Sequence, residues 1–89
     1  MAVIASQVSV GDSTPALLYQ NGGLLTVDVY IRVASDGVFV GPSGVTISTG
    51  YRPIVGESLR VRLATGESIY GISYSGNITA YVMASNVLL

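Results

Sequence analysis

Turn signals interrupt this chain so often that only short elements fit between them. They are Gly11-Asp12, Asn21-Gly22-Gly23, Asp36-Gly37, Gly41-Pro42-Ser43-Gly44, Thr49-Gly50, Gly56-Glu57, Thr65-Gly66 and Ser75-Gly76-Asn77. Gly, Asn and Asp serve at such places because tight turns need φ > 0 or a side chain that bonds its own backbone. The intervening runs are rich in Val, Ile, Leu, Tyr and Thr, and none sustains the i, i+3, i+4, i+7 spacing of a helix. The expected strands are Val3–Val10, Ala16–Gln20, Leu24–Val33, Val38–Val40, Val45–Ser48, Ser58–Leu63, Ser68–Tyr74 and Ile78–Ala84. About eight short strands between Gly-rich turns predict an all-β fold, an antiparallel β-sandwich or a jelly-roll-like barrel.

Period-2 alternation supports this reading. In Leu59-Arg60-Val61-Arg62-Leu63 the Leu and Val side chains share one face and both arginines the other. From Leu25 to Val33, Leu25, Val27, Val29, Ile31 and Val33 form an apolar face opposite Thr26, Asp28, Tyr30 and Arg32. Asp36-Gly37 is the strongest hairpin signal, because a type I′ turn favours Asp-Gly. Thr65-Gly66-Glu67 and Ser75-Gly76-Asn77 predict a C-terminal three-strand meander. The segment Gly50–Glu57, with Pro53, is expected to cross between sheets or around an edge.

The length fits one domain over residues 1–89, with 1–20 reading as an N-terminal arm or an edge strand. So small a domain has a thin stability margin and usually gains from disulfides, a metal or oligomerisation. There is no Cys and no His, which leaves assembly as the natural supplement. Only 10% of the residues are charged, against roughly 25% in an ordinary soluble domain. With 49% apolar residues, such a surface is expected to be covered by copies of itself or by a larger partner. A net charge of −1 supplies no field for nucleic acid or an anionic membrane, and neither is expected as a partner. The first seven residues lack a basic n-region and a long apolar h-region, so no signal peptide is expected.

Most catalytic chemistry is missing. A Ser nucleophile has no His or Lys to activate it, and three of the five carboxylates, Asp12, Asp36 and Glu67, fall at turns. No D-x-D-x-D-G loop, no His/Cys cluster and no Walker-type lysine is present, so no metal, no cofactor and no enzymatic activity are expected. Asn77-Ile78-Thr79 fits a glycosylation sequon but reads as a turn. The remaining polar groups point to contact. Arg60 and Arg62 share a strand face, and Tyr51-Arg52 lies in the adjoining loop. Tyr and Arg are the residue types enriched at interface hot spots. The apolar C-terminal residues Val87, Leu88 and Leu89 complete the expected partner interface. Tyr70 and Tyr74, with Tyr81 on the next expected strand, offer a platform for a sugar or, more simply, packing residues.

The pattern Val38-Phe-Val-Gly-Pro-Ser-Gly-Val-Thr46, Ser48-Thr-Gly-Tyr51, Val55-Gly-Glu-Ser-Leu59, Ala64-Thr-Gly-Glu-Ser-Ile-Tyr-Gly-Ile72 and Ser75-Gly76 resembles small structural proteins of tailed bacteriophages. It covers a little over half the chain and leaves out the residues up to Gln20. The resemblance implies a virion protein of the capsid decoration (cement) type. Such a protein is made in the host cytoplasm and seated on the capsid exterior. It would be a homotrimer whose partners are its own copies and the major capsid protein. A phage tail or fibre component and a carbohydrate-binding sandwich are the alternatives.

Overall fold

In a computed structural model that describes residues 3–23 and 25–86, the chain forms strands β1 (Val3–Val10), β2 (Ala16–Gln20), β3 (Val27–Val33), β4 (Val38–Gly41), β5 (Leu59–Leu63), β6 (Ser68–Ser73) and β7 (Ile78–Asn86). They build two antiparallel sheets. Sheet A has the order β1-β7-β3-β5 and sheet B the order β2-β6-β4. Successive strands always change sheet, so every connection is a handover across the sandwich. Beyond β4, Val40 and Tyr51 exchange both backbone bonds, at 2.7 and 2.8 Å. Counting that bridge as a vestigial strand, the winding is that of a jelly roll.

This topology corrects three expectations. Asp36-Gly37 does not close a hairpin: β3 pairs with β5 and β7, while β4 pairs with β6. A type I′ turn needs φ > 0 at both central residues, yet only Gly37 has it (φ 106°) and no described non-glycine residue does. The C-terminal meander is likewise absent, because the turns at Thr65-Gly66 and Ser75-Gly76 carry the chain from sheet A to B and back. The expected strand Val45–Ser48 is a pair of turns. Val45 N donates to Pro42 O, and Thr49 N and Gly50 N both donate to Thr46 O, so these backbone groups are spent locally. Val45, 2% exposed, plugs the end of the sandwich between Gly41 and Gly50. Strand β3 begins at Val27 rather than Leu24, which lies outside the described residues.

The core lies between the sheets. Val10, Val27, Val29, Ile31, Val33, Leu63, Ala80, Val82 and Ala84 from sheet A meet Leu18, Val38, Val40 and Ile69 from sheet B. Fully burying one such Val, Leu or Ile side chain stabilises by about 1.5–3 kcal/mol. Strand β2 turns both Leu18 and Tyr19 toward this core because the β2–β6 register shifts between Leu17 and Tyr19. Gly71 lies directly beneath Leu18, whose Cδ1 would sit 3.2 Å from an added Cβ.

Hydrogen bonds tie the loops at each end. At one end, Asn21, 2% exposed, donates from Nδ2 to Leu25 O (2.8 Å) and Leu63 O (3.0 Å). Its backbone also bonds Glu67 and Gly66, so it joins the β2–β3 loop to the β5–β6 turn. At the other end, Asp12 Oδ2 accepts from Gly76 N (2.9 Å), and Ser73 N donates to Gly11 O. Tyr74 N donates to Gly37 O there.

Candidate partner surface

Alternation leaves one face of each outer strand turned to solvent, and sheet A gathers the groups of interest. The register lays Ala5, Met83, Tyr30 and Arg60 in one row across β1, β7, β3 and β5. A second row holds Gln7, Tyr81 and Arg32, and a third holds Ser85, Asp28 and Arg62. Tyr81 and Met83 are 44% and 45% exposed although both are large and apolar. Together with Ala5, Gln7, Tyr30 and Arg32 they line an open groove of about 350 Å³.

The charges on this face are partly spent. Arg62 Nε donates to Asp28 Oδ1 at 2.9 Å, and the Asp28 side chain is only 11% exposed. The hydrogen bond from Arg62 holds the Asp28 carboxyl below the usual carboxylate range, and the charge of Arg60 acts in the same direction. Arg32 reaches across the face to donate to Gly56 O at 2.6 Å, which fixes the incoming β4–β5 loop. Among the described residues Arg60 makes no ion pair, and it is the register partner of Tyr30 on this face.

Arg52 stands in a different setting. It forms a bidentate pair with Asp36, Nε donating to Oδ1 at 2.9 Å and Nη2 to Oδ2. Both side chains are more than half exposed, at 54% and 58%. The hydrogen bond from Arg52 lowers the Asp36 pKa, and Asp36 raises that of Arg52. The guanidinium carbon lies 6.0 Å from the centroid of the Phe39 ring, on the outer side of sheet B. Tyr51 is 59% exposed at the β4 edge, and Ile54 and Val55 continue the exposed apolar loop beside it. The structure thus places Arg60 and Arg62 on one sheet face and Tyr51 and Arg52 beside the other sheet. Val87, Leu88 and Leu89 lie outside the described residues.

The tyrosines divide in the same way. Tyr70 shares the outer face of sheet B with Leu17, whereas Tyr81 is on the outer face of sheet A. The three-tyrosine platform expected from a meander is therefore not formed. Period 2 within β3 puts Tyr30 and Arg32 on its polar face, but nothing local to that strand shows that Tyr81 and Met83 lie beside them. The missing signal is the β3–β7 pairing, which no local pattern encodes. Among the described residues no group of three or more acidic side chains is placed to hold a metal ion. No described helix is long and apolar enough to cross a membrane.

No family model matches the chain. No curated protein matches it either. A solved structure described as "Bacillus endospore appendages form a novel family of disulfide-linked pili" aligns over 97% of this chain and 89% of its own, with 13% identity and a TM-score of 0.49.

Proposed function

We propose that the chain is a structural subunit of a virion, a capsid decoration (cement) protein that docks as an oligomer on the outer capsid surface and stabilises capsomer junctions. The observation that carries this reading is the outer face of sheet A. Tyr30, Tyr81 and Met83 form a contiguous apolar patch there, with Arg60 and Arg32 at its borders and Asp28 and Arg62 paired with each other in the next row. Contiguous exposed apolar surface rimmed by polar residues marks a docking site. Tyr, Met and Arg are the side chains enriched in such interfaces. The phage-like sequence pattern supports a capsid as the surface that covers it.

On this reading the protein performs no reaction. Its effect is mechanical: each subunit adds contacts across a junction, and linked subunits bind with an avidity above that of any single contact. The partners are its own copies and the major capsid protein.

The test is co-sedimentation of the purified chain with expanded capsids. Wild-type protein pellets with the particles and saturates. Tyr81→Ser combined with Met83→Ser lowers the affinity about tenfold or more, as expected for central apolar anchors. Wild-type protein that stays in the supernatant at every concentration contradicts the proposal.

A further inference from the structure

The sandwich has four free edges, and they are not equally protected. Edge strands expose unpaired N–H and C=O groups, and proteins blunt them with charge, bulges, short strands or a covering segment. Strand β2 is five residues long and carries a register shift between Leu17 and Tyr19. Strand β4 is capped by the Tyr51 bridge. Strand β5 is five residues long and bears Arg60 and Arg62, which would oppose their own copies in a self-pairing. Strand β1 has none of these devices. It runs eight residues, Val-Ile-Ala-Ser-Gln-Val-Ser-Val, with no charge, no Pro and no Gly, and it pairs with β7 through eight consecutive positions without a shift. Among the described residues its other side is unpaired.

We infer that the β1 edge is where a second copy of this chain adds its own β1, antiparallel and about a two-fold axis at Gln7. A two-fold contact is self-complementary: the same patch meets itself. Two β1 strands match in length and bring no charge together, and a net charge of −1 per chain opposes their approach only weakly. Side-chain period 2 allows only registers in which opposed residues face the same way. The Gln7 register meets this condition, with Ala5 opposite Ser9 on the outer face and Ser6 opposite Val8 on the inner. It also sets the two Gln7 amides together, where each can donate and accept. The result is one eight-stranded sheet in which the outer faces of two sheets A, each with its Tyr81 and Met83, form a continuous surface. The contact departs from the trimer implied by the sequence resemblance, and it stands whether or not the covered surface belongs to a capsid.

The experiment is sedimentation-equilibrium mass determination without any capsid, joined to cysteine crosslinking. Wild-type protein is expected as a dimer or a multiple of one. Gln7→Lys with Ser9→Lys is expected to raise the dissociation constant about tenfold or more, because the new charges at position 7 oppose one another directly and those at position 9 stand diagonal to them on the same face, with the far-UV circular dichroism spectrum unchanged. Gln7→Cys is expected to form a covalent dimer on oxidation, and Ser43→Cys, on an exposed loop, is not. A monomeric wild type, an association that survives both lysines, or a Gln7→Cys variant that crosslinks no better than Ser43→Cys overturns the inference. Failure of capsid binding leaves these masses unchanged, so the two proposals are tested separately.

Discussion

Asp28 and Arg62 face each other across β3 and β5, and their hydrogen-bonded pair separates two arginines that the sequence presents as equivalent. Arg62 hydrogen-bonds and compensates a carboxylate that is largely covered, whereas Arg60, two residues away, acts on it only through its charge and as the smaller influence. Arg62→Glu sets a second carboxylate against Asp28, so this variant is expected to melt below wild type. Arg60→Glu is expected to melt closer to wild type than Arg62→Glu does, and to weaken partner binding. Thermal unfolding followed by circular dichroism separates them, and equal melting temperatures for the two variants would contradict the assignment.

Three aspartates are expected to set the acid limit of the fold. Arg62 lowers the pKa of Asp28, Arg52 that of Asp36, and the Gly76 N–H, followed by Ser13, that of Asp12. A carboxyl whose folded pKa lies below its unfolded value contributes stability above the unfolded pKa, near 3.9 for Asp. That contribution is lost as pH falls through the folded pKa. The chain has no His, so the melting temperature is expected to be level from pH 8 to about 5 and to fall below about 4. Asp28→Asn should flatten the acid limb, and a transition near pH 6 would contradict this account.

Gly50 is fixed by crowding. An added Cβ would lie 2.7 Å from Phe39 Cβ, 2.8 Å from Val45 Cγ2 and 3.1 Å from Thr46 O. Gly50→Ala is therefore expected to destabilise by about 1–3 kcal/mol through overpacking. For a domain of this size each kcal/mol lowers the melting temperature by about 4–8 °C. Gly44→Ala meets no atom within 4 Å, and its cost is confined to the strain of φ 85°. Chemical denaturation should rank Gly50→Ala as the more damaging of the two.

Asn21 joins two loops through a buried amide. Asn21→Ala removes the donor to Leu25 O and Leu63 O, and the expected loss is about 2–4 kcal/mol. Because Asn21 also shapes the start of the β2–β3 loop, hydrogen exchange should accelerate at Gly23 and Gly66 before it does so in the core of β7. Uniform acceleration throughout the domain would contradict a local role.

The sequence made local structure legible, but not which strands are neighbours. The alternation from Leu25 to Val33 and from Leu59 to Leu63 identifies β3, β5 and their faces, because period 2 is a property of one strand; Leu25, on the expected core face, instead precedes β3 and is 46% exposed. Asp36-Gly37 looks the same whether it closes a hairpin or hands the chain to the opposite sheet; the outcome rests on strand pairing elsewhere. Val45 has the residue type of a strand but serves as a plug between two glycines, since Thr46 binds the backbone that a strand would need. Tyr51 and Arg52 are close in sequence to Arg60 and Arg62, but the β4–β5 crossover separates them, and Asp36 holds Arg52.

The central claim is that the outer face of sheet A is a covered surface on a particle. A density map of the virion resolved to the level of strands tests it most directly. The account predicts the sandwich on the outer capsid surface, at a junction between capsomers, with Tyr30, Tyr81 and Met83 against the major capsid protein. A map with the domain absent from the capsid, or seated with that face open to solvent, would contradict it.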